Sequence, residues 1–206
     1  MTKSLKLAAL TGAALFASAM LPATAMADGV IIIDKDAAIQ GSAALQGAVA
    51  QIKVTYAATI TQWEARGKAL DAGLQPQVVA FQAAQKVANP NRVLLQSQYA
   101  AIQAKQQEGA AELQRMFAPV QRAQDYAVTQ IGTHLESALK AVMTKRSANV
   151  VLVPQATVAY QPSAEATQDL IAQLNVEVPS VSTAVPAGWV AGQPIPGAAA
   201  PTSGGR

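Results

Sequence analysis

The sequence contains no cysteine and one histidine, His134, and charged residues make up only 13% of it. Without cysteine there is no disulfide to staple a small core, so stability must come from packing or from association of copies. A lone histidine has no second ligand and no partner base, which leaves metal and nucleophilic chemistry without their usual side chains. No carboxylate pair stands at a strand end in a way that suits acid–base catalysis, so neither an enzyme nor a cofactor is expected. The nearest thing to an acidic cluster is Asp34-Lys35-Asp36. Two carboxylates with no further ligand nearby read as a strand end and a helix cap. Basic residues outnumber acidic ones by only 15 to 12, too dilute an excess for nucleic acid, which needs dense phosphate-neutralising clusters.

The two ends of the chain read as something other than a folded domain. Met1–Ala27 has a basic start at Lys3 and Lys6, an apolar run from Leu7 to Leu21, and small residues ending in Ala25-Met26-Ala27. That pattern predicts a secretory signal peptide cleaved before Asp28, too short to serve as a membrane span. At the other end, residues 179–206 hold five prolines, five glycines and hardly any charge. Such a composition predicts a disordered tail, with Trp189 an isolated aromatic of no structural role.

Between them lies the stretch that organises the chain, residues 42–146. Apolar residues recur at helical steps as Leu45, Val49, Ile52, Tyr56, Ile60, Trp63, Leu70, Leu74, Val78 and Phe81, then as Leu95, Tyr99, Ile102, Leu113, Met116, Val120, Ala127, Ile131, Leu135, Leu139 and Val142. This is one stripe on one side of a helix. It breaks once, at Asn89-Pro90-Asn91, where proline removes a backbone donor and disfavours helix at the residue before it. At ~1.5 Å per residue the two limbs would be roughly 69 and 80 Å long, so the pattern predicts an antiparallel arm that projects. Pro76 and Pro119 are expected to kink or loosen it. The Gln- and Ala-rich outer half predicts a marginal seam and a flexible tip. The arm carries 11 basic and six acidic side chains, while the rest of the mature chain is net acidic. Weak steering of acidic or amphipathic partners is the expected consequence, and an acidic membrane surface is one such partner.

Short β-like runs flank the arm. Val30-Ile31-Ile32-Ile33, bounded by Gly29 and Asp34, predicts one buried strand, and Asn149–Val153 and Thr157–Tyr160 predict two more. Pro162-Ser163 then opens a helix with Leu170, Ile171 and Leu174 on its packing face. The fold class is therefore α+β: a long helical hairpin on a small β body formed by residues 28–41 and 147–178. Such a body is too small to stand alone and calls for further copies to complete it.

The elements Asn149-Val-Val-Leu-Val153, Thr157-Val158-Ala159-Tyr160 and Leu170-Ile-Ala-Gln-Leu174, preceded by Gly29-Val-Ile-Ile-Ile-Asp34, resemble the Skp/OmpH family of periplasmic chaperones across Asp28–Asn175. The resemblance implies a homotrimer whose β body carries three arms, and an ATP-independent holdase for unfolded outer-membrane proteins. It implies a trimer body of Val30, Ile31, Ile32, Ile33, Val150, Val151, Leu152, Val153, Val158 and Tyr160. Client contact would fall to arm residues Lys53, Trp63, Arg66, Lys68, Phe81, Lys86, Arg92, Tyr99 and Lys105. The family's best-known members have strongly basic arms; this one is only mildly so. The alternative is a structural helical-hairpin adaptor of an envelope secretion or efflux assembly. That class embeds its hairpin between sizeable β domains, for which residues 28–41 leave no room.

Overall fold

The computed structural model describes residues 29–195. The expected signal peptide with its cleavage point, and residues 196–206 of the expected tail, lie outside the described residues. The chain opens with β1 (Gly29–Ile32) and α1 (Lys35–Gly41), then α2 (Ala43–Thr55) and α3 (Ala57–Gln85) run outward and α4 (Arg92–Gly132) returns. After these come α5 (Leu135–Lys145), β2 (Ala148–Leu152), two 3-10 turns at Pro154–Ala156 and Pro162–Ala164, and α6 (Thr167–Glu177).

Local chemistry fixes most of these boundaries. Asp34 Oδ1 accepts from Ala37 N–H at 2.9 Å and starts α1, and Ser42 Oγ accepts from Leu45 N–H at 3.3 Å and starts α2. The reversal falls at Lys86–Asn91, as the Asn-Pro-Asn pattern predicts, and Asn91 Oδ1 accepts from Leu94 N–H at 3.1 Å to start α4. Just beyond the end of α5 stands Ser147, the one described non-glycine residue with positive φ, at 52°. A left-handed residue just past a helix end turns the chain sharply, here straight into β2.

Neither Pro76 nor Pro119 interrupts its helix. The carbonyls each would leave unpaired belong to Ala72 and Arg115, and all four residues are exposed, so water can take up the freed acceptors. The interruptions sit elsewhere. One is Tyr56, with φ −104° and ψ 19°, which follows the β-branched pair Val54-Thr55, poor helix formers. The other is Thr133–His134, beyond Gly132, where the last turn tightens as His134 N–H donates to Ile131 C=O at 3.0 Å. His134 is exposed.

Among the described residues the sheet has two strands, not three. β1 and β2 run parallel, pairing Val30 with Val150, Ile31 with Val151 and Ile32 with Leu152. Thr157–Tyr160 is no strand: Val158 is fully exposed and Tyr160 is exposed too. The place beside β1 is taken, since Ile32 bridges to Glu165 and Ala166 N–H donates to Ile32 C=O at 2.9 Å. No edge of β1 is left for a third strand.

Ile31, Ile33, Ala38, Ala138, Val142, Leu170 and Leu174 form the body's core, joined by Ala44, Leu45, Ala48, Ala127 and Ile131 from the arm's root. The body thus takes in α5 and the first turns of the arm as well as the two short flanking segments. An ionic clasp ties its helices: Asp169 accepts from Lys145 Nζ at 2.8 Å and from Arg146 Nε at 2.6 Å. These contacts, the Lys145 hydrogen bond foremost, hold the Asp169 carboxyl below its usual range.

Residues 179–195, expected to be part of a disordered tail, fold back along the root of the arm. Val178 and Thr183 are buried and Trp189 is 3% exposed. Composition averaged over the segment hides the spacing of its anchors, Val181, Val185 and Trp189, four residues apart. Val181 meets the body core, Val185 the apolar cluster at the arm's root and Trp189 the ring of Tyr126.

Candidate functional site

The arm is a two-helix hairpin, and each position along it has one partner across the seam. Nearest the body, Ile52, Val120 and Ala123 are buried together with Tyr56, Ile60 and Phe117 around them. Farther out the pins become sparse. Trp63 packs on Phe117 with ring centroids 5.1 Å apart, and Arg66 forks onto Glu112 with bonds of 2.8 and 2.9 Å. Leu70 sits over Gly109, where a Cβ would lie 3.2 Å from Leu70 Cδ1; the glycine lets the side chain approach that closely. Phe81 and Tyr99 close the series at 6.0 Å. Helix α3 has no buried residue along its 29 positions, because one facing helix covers only one stripe of it.

The site residues expected from sequence divide into two sets. Trp63, Arg66 and Phe81 are spent on the seam, and the Arg66 guanidinium, hydrogen-bonding Glu112, holds that carboxyl below its usual range. Lys53, Lys68, Lys86, Arg92 and Lys105 are exposed and form no ion pair among the described residues. Tyr99 does both: its ring meets Phe81, half its surface is open, and its hydroxyl accepts from Gln103 Nε2 at 2.7 Å.

What sequence reasoning missed is the apolar surface left over. Val79, Val87, Val93 and Leu94 are exposed, and all lie near the turn beside Lys86 and Arg92. They stand off the stripe, and that was the available signal: apolar residues that no seam position requires. The outer arm therefore presents branched aliphatic groups and unpaired cations side by side on a narrow support. Such a surface can touch an extended chain at many weak points without fixing one register.

In the body, Ile31, Ile32 and Ile33 are buried within the protomer itself, and Val151, Leu152 and Val153 are half-buried. Val30 and Val150, adjacent in register, are exposed. Among the described helices none is long and apolar enough to cross a membrane.

The family described as "Outer membrane protein (OmpH-like)" matches residues 29–174. No curated protein matches the chain. Among solved structures, a candidate outer membrane chaperone (OmpH-like) from Caulobacter crescentus CB15 is similar at 20% identity and a TM-score of 0.45, covering 86% of this chain and 95% of that one. With the family match running from β1 to α6 through the whole of the arm, this chain belongs to the OmpH-like outer membrane protein family.

Proposed function

We propose that the protein is an ATP-independent periplasmic holdase that keeps unfolded outer-membrane β-barrel proteins from aggregating by surrounding them with helical arms. The observation that carries this reading is the outer arm, where exposed Val79, Val87, Val93 and Leu94 stand near unpaired Lys86 and Arg92, with unpaired Lys105 farther in. An unfolded barrel strand alternates apolar and polar groups, and a surface of this kind meets both without fixing a register. Sequestering the client by mass action requires no chemistry and no nucleotide.

Enclosure requires several arms, and the body offers the means to gather them. Val30, Val150, Val158 and Tyr160 are apolar and exposed, and the outer edge of β2 has no strand partner among the described residues. A homotrimer joined through these groups would cover them. The sequence-derived trimer set thereby narrows, since Ile31, Ile32 and Ile33 are already used inside the protomer.

The test removes the outer arm and leaves the body whole. Leu74 and Lys105 line one hollow across the hairpin, so residues 75–105 can be replaced by a short Gly-rich turn. The shortened protein should keep the sedimentation coefficient expected for a compact trimer and lose most of its ability to keep a urea-unfolded barrel in solution. Full protection by the shortened form would rule out enclosure by the arms. Added salt should weaken holding by the intact protein only modestly, because few charges take part.

A further inference from the structure

The root of the arm already holds an extended polypeptide, and that polypeptide is the protein's own C-terminal segment. Residues 179–195 form neither helix nor strand and lie beyond the last residue of the family match. Part of their seat is indifferent to sequence. Ser182 N–H donates to Gln130 Oε1 at 3.0 Å, and Gln130 Nε2 donates to Ser182 C=O at 2.7 Å. A side-chain amide that pairs both ways with the backbone of one residue reads main chain, which every extended segment offers. The rest is a row of apolar places. Val181 packs on the body core, Val185 on the cluster of Ile52, Val120 and Phe117, and Trp189 edge-on against Tyr126 at 5.0 Å.

The occupant is not well matched to this seat. Trp189 is buried, yet its Nε1–H has no acceptor among the described residues, and a buried donor without a partner weakens the docking that hides it. Arg115 and Arg122 flank Val185 and form no ion pair among the described residues. The segment 179–195 contains no charged residue with which to answer them.

We propose that this seat is a docking track for extended apolar segments of an unfolded polypeptide, and that residues 179–195 are its resident, displaceable occupant. The inference rests on the holdase reading and adds its regulation. A client segment carrying an acidic residue beside an apolar one gains Arg115 and Arg122, which the resident segment leaves unused. Competition from the segment reduces client affinity to the intrinsic value multiplied by the fraction of time the seat is vacant. The same hollow is bounded by Tyr56 and Pro119, the irregular point of the outgoing limb and the proline of the returning one. Release of the segment therefore uncovers the arm at the break in its outgoing limb and beside the proline of its returning one.

Displacement can be read from Trp189 directly in the full mature chain carrying Trp63→Phe. Adding a tryptophan-free, urea-unfolded β-barrel protein should shift Trp189 emission to the red in step with client binding. A full-length Val185→Ser/Trp189→Ser variant should bind that client about three- to tenfold tighter than the wild type. A labelled peptide of residues 179–195 should bind this variant in trans, bind it more weakly when Gln130→Ala is added, and be released by the unfolded barrel. Client binding without a change in Trp189 emission and without peptide release would overturn the competition and make the segment a fixed brace. Failure of every form to bind the barrel would sink the holdase reading and the competition with it.

Discussion

The body and the outer arm are built from much the same amino acids and end in opposite conditions. In the body, Ile33, Ala138, Leu170 and Leu174 are fully enclosed, because a two-stranded sheet, three short helices and the arm's root converge on them. Along the outer arm, leucines and valines of the same kind stay half or wholly open, because a helix with one neighbour has one covered stripe. The difference teaches that burial here is decided by how many elements meet at a point. It also means that packing is densest in the body, while the outer arm leaves most of its apolar side chains half or wholly open.

The comparison is tested hardest by making one cut in both places. Leu170→Ala in the body should cost about 2–5 kcal/mol in urea unfolding, since it removes a fully buried side chain and leaves a cavity. Leu74→Ala, on the half-covered seam, should cost about 1 kcal/mol or less, because the site is open to water already. Equal losses would show the arm to be as well packed as the body.

The ionic clasp gives the body a pH dependence. Asp169 sits beside Lys145 and Arg146 with its pKa lowered, so its folded form holds a proton less readily than its unfolded form. Its contribution is complete above the ordinary aspartate pKa of about 3.9 and is lost as the pH falls through the lowered folded value. Asp169→Asn should reduce stability by about 1–2 kcal/mol at pH 7. Below about pH 4 the variant's stability should change less steeply than the wild type's. Identical acid profiles would show that another carboxylate governs this range.

The smallest effects come from a mirrored pair. Ser147→Gly should stabilise the body by roughly 0.5–1 kcal/mol, relieving a left-handed residue of its Cβ. Gly73→Ala should stabilise the arm by a similar roughly 0.5–1 kcal/mol, since a Cβ there meets nothing within 4 Å and alanine favours helix. Amide hydrogen exchange should slow in α3 for the second variant and stay unchanged in α6. Slowing spread over both regions would mean that arm and body unfold as one unit.

Sequence by itself determined the hairpin, its turn at Asn89-Pro90-Asn91, the first strand and the Asn149–Val153 run. Each of these depends on local chemistry: helical spacing of apolar residues, a proline with its capping asparagine, and short β-branched runs closed by Gly, Asp or Pro. Much of the candidate site was legible in the same way, since Lys86, Arg92 and Lys105 could be placed on the arm from their positions alone. Only the tertiary structure decided which apolar residues the seam would use. Trp63 and Phe81 went to holding the helices together, while Val79, Val87, Val93 and Leu94 were left facing water. It also decided that Thr157–Tyr160 would be no strand, the chain passing instead from β2 through two 3-10 turns to the edge of β1 at Glu165. And it gave the Pro- and Gly-rich end a place, because a two-helix root leaves uncovered apolar surface that Val185 and Trp189 can reach. Those outcomes depend on what other elements leave vacant, and no window of sequence contains that.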